Sequence, residues 1–424
     1  MEKAIVYDLA RLFVGPVFAT PRGIDRVDLL LANHFIQVHR CNFLGLLSTP
    51  WGVRVYDANR VEGGLRRLEE LWAERTEAPS DPLYAGIVQA LTGRRNHANG
   101  AGGLNTLSRL QRMASLLSST GIALGRSGIK TIPTNSIYLN VGHYTLAVPS
   151  FLEWLNRRRD LKPIFMLHDT IPLDRPELVS SPGVRHHQEM VRSAAKFAAG
   201  LIVTTNHARD SILAALAAEG RSDIRVLSIA LPLAESFDSP HFFNPLLDEV
   251  PYFVVCGTIE PRKNHRLLLD VWRQLCASDG SAPHLVVVGS LGWRGREIIG
   301  QMMCCEATRG RIHHVQGLST QAMKSLIAQS RGLLSPSLAE GFGLPIVEAL
   351  HLGAAVIASD IPAHREVAGD KATLLDPADP LAWRTAIEAV SRDGKRPQHL
   401  GSSDDARRAR DACFALVGEF IANF

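Results

Sequence analysis

Eight short apolar runs punctuate the chain: SIYLNVG (136–142), PIFMLHD (163–169), GLIVTTN (200–206), IRVLSIA (224–230), YFVVCGT (252–258), HLVVVGS (284–290), GLLSPS (332–337) and AAVIAS (354–359). They are apolar at consecutive positions and bounded by turn residues, the pattern of strands covered on both faces of a parallel sheet. Stretches with helical spacing separate them on both sides of residue 240, which predicts an α/β protein with two doubly wound sheets. Ala234–Val250 carries two prolines and no sustained period, and reads as the linker. The chain therefore divides into an amino-terminal domain, 1–237, and a carboxyl-terminal domain, 238–402, with a terminal helix at about 403–424 that is a candidate to pack back on the first domain.

Length agrees with that division, since 424 residues exceed the roughly 250–300 at which one core stops growing. An apolar fraction of 46% with 21% charged residues excludes a disordered or fibrous chain. No stretch reaches the ~18 uninterrupted apolar residues of a membrane span. Asp8 and Arg11 fall where a signal peptide needs its apolar region, so a cytoplasmic protein is expected. Six scattered cysteines, without C-x-x-C spacing, read as reduced thiols, and we assign no metal.

Charge is uneven: residues 1–237 hold 27 Lys and Arg against 21 Asp and Glu, the remainder 19 against 21. Thr92–Lys130 contains Arg94, Arg95, Arg109, Arg112, Arg126 and Lys130 without an acid, interleaved with Leu107, Leu110, Met113, Leu116 and Leu117. It reads equally as a basic amphipathic segment for an anionic membrane surface and as a solvated helix face. Basic residues are not interleaved with stacking aromatics, which argues against a nucleic-acid partner.

In doubly wound sheets the residues just past each strand hold the ligand. After YFVVCGT come Glu260, Arg262, Lys263 and Asn264; an Arg that can fork onto two oxygens beside a Lys point charge suits a diphosphate. After GLLSPS, the stretch LAEGFGLPIVEALHLG places Pro345 at a helix start and Gly353 at its end. Gly341 and Gly343 let the backbone approach a ligand there, and the helix start attracts an anion. Glu340 and Glu348 flank this turn. His168 and Asp169 follow PIFMLHD, while His143 and His207, also past strand runs, read as structural hydrogen-bonders.

Together GTIEPRKN (257–264), VVGSLGW (287–293), QG (316–317), SPSLAEGFGLPIVEALHLGAAVIASD (335–360), then Arg365, Glu366, Val367 and LLDPAD (374–379), resemble the carboxyl-terminal half of the retaining, GT-B-fold glycosyltransferases of family 4. The EPRKN and GxxGW variants are most similar to bacterial mannosyltransferase-like members that build surface polysaccharides. The resemblance implies two Rossmann-like domains facing a cleft. It implies that Glu340 bonds hydroxyls of the donor sugar and Glu348 the ribose, both matching the family's paired glutamates. It further implies that amides near Gly341, Phe342, Gly343 and Leu344 hold the β-phosphate, and that Arg262 and Lys263, beyond Gly257 and Thr258, neutralise the leaving diphosphate in place of a metal, so no cofactor is expected. PRGIDRVD (21–28) is similar to the family's first glycine loop, with Gly23 near phosphate and sugar, and His168–Asp169 to its strand-end pair beside the transferred sugar.

The implied activity is retaining transfer of a hexosyl group from a nucleotide sugar, GDP-mannose favoured, to a hydroxyl of a growing and lipid-linked surface glycan, at the inner membrane face. A UDP-sugar enzyme of the same family and a non-catalytic nucleotide-sugar-binding subunit are the alternatives. Residues 60–132 carry no recognised motif and are expected to shape the acceptor site.

Overall fold

The computed structural model describes residues 3–13, 21, 23–49, 52–72, 76–94, 111, 126–278, 282–393 and 402–424. Strands β1 (Ile5–Asp8), β2 (Phe43–Thr49), β3 (Gly52–Asp57), β4 (Arg126–Ser127), β5 (Ile137–Asn140), β6 (Lys162–Leu167), β7 (Gly200–Val203) and β8 (Arg225–Ser228) form one sheet, in the order β4-β3-β2-β1-β5-β6-β7-β8. Strands β9 (Tyr252–Cys256), β10 (His284–Val288), β11 (Ile312–Val315), β12 (Gly332–Ser335), β13 (Ala355–Ser359) and β14 (Thr373–Leu375) form the second, in the order β11-β10-β9-β12-β13-β14. The second sheet is parallel throughout. The first departs from the wholly parallel expectation at its edge, where β3 runs antiparallel to β2 and β4 antiparallel to β3.

Each sheet is covered on both faces, because consecutive apolar residues send side chains to opposite sides. In the first sheet Tyr7, Leu139 and Met166 join one core, while Val6, Tyr138 and Phe165 join the other. In the second, Val254, Val286 and Leu333 face one core, and Phe253, Val255 and Leu285 pack with Trp272 in the other. Strand order reverses between β1 and β5 and between β9 and β12, so each sheet has its ligand crevice there.

The linker is docked on the second domain. Lys324 donates through Nζ to the carbonyls of Ser236 at 2.7 Å and Ser239 at 2.8 Å, and Gln329 Oε1 accepts from the Asn244 amide at 2.8 Å. Helix Ser403–Ala422, opened by a capping box between Ser402 and Asp405, sends Cys413, Val417 and Ile421 into the core of the first sheet. Phe424 closes over Gly200, and Arg410 pairs with Asp238.

Within 60–132, residues 76–94 pack on the second domain. Helix Pro82–Leu91 sends Leu83, Tyr84, Ile87, Val88 and Leu91 into one core with Tyr252, Val315 and Leu318 of the second domain. Asp81 caps it, accepting from the Leu83 amide at 2.9 Å, and accepts from the Ser319 amide at 2.8 Å across 238 residues of sequence. Residues 76–94 are thus a strap from the first domain onto the back of the second. The basic stretch is not one helix: Arg94 follows the helix end, Arg126 lies on β4 and Lys130 in a 3-10 turn. Arg95, Arg109, Arg112 and the five interleaved apolar residues lie outside the described residues. Among the described residues no helix is long and apolar enough to cross a membrane.

Candidate active site

β9 ends at Cys256, and the chain passes Gly257 and Thr258 into the turn Pro261–Lys263. The Leu338 amide donates to the Arg262 carbonyl at 2.7 Å, which fastens this turn to the loop after β12. Arg262 Nη1 lies 2.8 Å from Glu340 Oε2 and Arg262 Nε 2.5 Å from Glu260 Oε1, while Lys263 Nζ pairs with Glu340 Oε1. Ser337 donates to that same oxygen at 2.6 Å. Burial opposes ionisation of Glu340, but Lys263 and then Arg262 outweigh it and hold the carboxyl well below its ordinary range. Burial likewise opposes charge on Arg262, and Glu340 and Glu260 more than restore it.

Beyond Glu340 two glycines are required by geometry. Gly343, at φ +110°, opens helix Leu344–His351 in a conformation side chains rarely adopt. A Cβ on Gly341 would stand 2.5 Å from the His168 carbonyl, so only glycine admits this approach of the two domains. Thr204 and Thr205, past β7, donate to the Gly341 carbonyl at 3.0 and 3.1 Å. Phe342 is buried in the core of the first domain. The first-turn amides of the helix, with Pro345 contributing none, carry the positive end of its dipole.

Glu348, one turn into the helix and buried, pairs with Arg26 of the first domain at 2.8 Å. Gly23 opens the helix that carries Arg26, Gly23–Val38. His168 is buried, and its Nε2 lies 3.2 Å from the Val141 carbonyl; since a carbonyl only accepts, this nitrogen bears the proton. Burial, then Arg11, brings its pKa to about 4, so the ring is neutral at neutral pH. Asp169 Oδ1 accepts from the Ile171 amide at 3.1 Å. The His143 ring centroid is 5.3 Å from that of His168. His207 is exposed; its amide and that of Asn206 donate to Glu366, a contact between domains.

The site therefore brings Arg262, Lys263, Glu340 and the helix start together, sets Glu348 one turn deeper, and puts His168 and Asp169 across the cleft at Gly341. Arg26, Thr204, Thr205 and Ser337 also belong here, although no motif in the sequence singles them out. All four lie in quoted stretches next to strand ends or glycine loops, a signal that marked the neighbourhood without marking the residue. Among the described residues no group of three or more His, Cys, Asp or Glu could hold a metal ion.

Residues 237–406 match the family described as glycosyl transferases group 1. That match takes in about two fifths of the chain. The O-antigen chain mannosyltransferase RfbU of Salmonella typhimurium is 24% identical over 310 residues, 69% of this chain and 81% of that one. The serotype-specific mannosyltransferase WbdA of Escherichia coli is 27% identical over 238 residues, 53% of this chain; the match spans only 29% of WbdA. Among solved structures, Anabaena Alr3699/HepE in complex with UDP-glucose superposes with TM-score 0.59 at 16% identity, covering 100% of this chain and 99% of that one. A sucrose-phosphate synthase from Thermosynechococcus elongatus gives 0.58 at 15%, covering 99% and 96%. The fold is GT-B, and the stretch similar to group 1 glycosyl transferases is its carboxyl-terminal half, which holds Arg262, Lys263, Glu340 and Glu348.

Proposed function

We propose that this chain is a retaining, metal-independent glycosyltransferase that moves a hexosyl group from a nucleotide sugar to a hydroxyl of a growing surface glycan. The observation that carries the reading is the Arg262–Lys263–Glu340 cluster at the start of helix Leu344–His351. Two cations and a helix start are a built anion site, and the carboxylate beside them is placed to take sugar hydroxyls once a diphosphate occupies the cations. The mannosyltransferase names of RfbU and WbdA support mannose, and hence GDP-mannose as donor. A lipid-linked acceptor met at the membrane surface is part of the same proposal.

In this mechanism the bond from the anomeric carbon to the β-phosphate oxygen breaks as the acceptor oxygen bonds to that carbon from the same side. The acceptor proton passes to the phosphate oxygen. Arg262 and Lys263 hold the charge that develops on the diphosphate, and such preorganised donors are the largest expected contribution to rate. Neutral His168 and Asp169 border the sugar from the opposite domain, and closure of the cleft excludes water.

The test is transfer from GDP-mannose to an alkyl-linked α-mannoside in the presence of EDTA, with the product's anomeric configuration read by NMR. An α-linked disaccharide is expected. A β-linked product overturns retention, and loss of turnover with EDTA overturns metal independence.

A further inference from the structure

Two helix starts meet in the cleft. A Cβ on Gly23 would lie 2.8 Å from Leu344 Cδ1, so the start of helix Gly23–Val38 abuts the start of helix Leu344–His351. One turn into the first, Arg26 crosses between the domains, its Nη1 2.8 Å from Glu348 Oε1, with the side chains only 14% and 6% exposed. The Cys256 thiol at the end of β9 shows which charges share this neighbourhood. After burial, which raises its pKa, it responds to Glu348, which raises it further, and to Arg26 and Lys263, which lower it. Arg26 and Lys263 therefore act on one small volume beyond β9, one from each domain.

Every one of these cations faces a carboxylate: Arg262 and Lys263 face Glu340, and Arg26 faces Glu348. A buried charge is tolerated only while it is partnered. A nucleotide sugar offers both replacements at once, phosphate oxygens for the cations and sugar and ribose hydroxyls for the carboxylates. The carboxylates thus hold the cations in place until the donor exchanges with them.

We propose that Arg26 is a third diphosphate-binding cation, supplied by the amino-terminal domain, which leaves Glu348 for the leaving group when the donor binds. This rests on the nucleotide-sugar reading above. It makes full stabilisation of the leaving diphosphate available only when the two domains are together, because Arg262 and Lys263 come from one and Arg26 from the other.

The test is calorimetric titration of the full chain with GDP and with GMP for wild type, Arg26→Ala, Arg26→Lys and Glu348→Gln, each checked by thermal unfolding. Arg26→Ala is expected to weaken GDP about tenfold or more and GMP less than about threefold, with Arg26→Lys between wild type and Arg26→Ala. Glu348→Gln is expected to weaken GMP through the lost ribose contact and GDP less, because it also releases Arg26 for the diphosphate. Equal loss of GDP and GMP in Arg26→Ala, or no loss of either, overturns the proposal and leaves Arg26 as a partner for Glu348 alone. If Arg26→Ala does not fold, the GDP-to-GMP ratio in Arg26→Lys decides in the same way. Wild-type protein that binds neither GDP nor UDP overturns the nucleotide-sugar reading itself, an outcome seen without any variant.

Discussion

Arg262 Nη1 lies 2.8 Å from Glu340 Oε2, joining a turn after β9 to a loop after β12 through side chains 78 residues apart. Lys263 holds the other oxygen of the same carboxylate, so the two cations and the acid form one partly buried unit. Lys263 and Arg262 keep Glu340 charged, and Glu340 and Glu260 do the same for Arg262, while burial lowers the pKa of Lys263.

Removing the acid and removing a cation should have opposite effects on nucleotide affinity. Glu340→Gln is expected to tighten nucleoside diphosphate severalfold, because two cations lose their internal partner, while turnover falls about 100-fold with the lost contact to sugar. Lys263→Ala should weaken the diphosphate and cost about 3 kcal/mol of transition-state stabilisation. Calorimetry beside steady-state kinetics separates the two.

Thr204 reaches the donor loop from the other domain. Thr204→Val keeps shape and removes the hydrogen bond to the Gly341 carbonyl at 3.0 Å, whose loss should cost about 1 kcal/mol. The expected result is a donor KM raised about fivefold with kcat changed less, and an unfolding midpoint near wild type. Thr205 is a poorer probe, because its hydroxyl also caps helix Asn206–Ala218.

Asp28 lies fully buried with its Oδ1 accepting from the Tyr7 hydroxyl at 2.7 Å. Burial raises its pKa from 3.8 to about 8, against the hydrogen bond from Tyr7 and the charge of Arg11. Below the unfolded value both states hold the proton and stability is greatest. Between the two values only the unfolded chain releases it, so stability declines as pH rises toward the folded value. Asp28→Asn retains the acceptor for Tyr7 and should flatten this decline, gaining roughly 1–3 kcal/mol at neutral pH. Urea unfolding from pH 4.5 to 8 of both proteins is the measurement.

Asp81 ties the strap to the second domain by accepting from Leu83 and Ser319 amides. Asp81→Ala removes a helix cap and leaves a buried amide unpaired, a loss of about 2–3 kcal/mol. Urea midpoints should show it, with Asp81→Asn losing less.

The strands with uninterrupted apolar runs, such as β6, β7, β9 and β10, were legible because burial on both faces leaves no polar position to confuse the pattern. β11, sequence IHHV, was not, since two of its four residues are histidines, one of which lies 3.0 Å from His284. β3 and β4 were missed because β3 has exposed ends and carries Arg54 at mid-strand, and β4 is only two residues long. At the site, Glu340, Arg262 and Lys263 stood out through local motifs. Arg26, Thr204 and the strap depend on contacts across more than 130 residues, which no local pattern encodes.

The most direct measurement is calorimetric titration of the purified chain with GDP, UDP, ADP and dTDP, without metal, beside Lys263→Ala. The expected result is tight binding of GDP that the variant loses. Binding of none of the four, or GDP binding that Lys263→Ala leaves intact, would contradict the assignment of Arg262 and Lys263 as the diphosphate site.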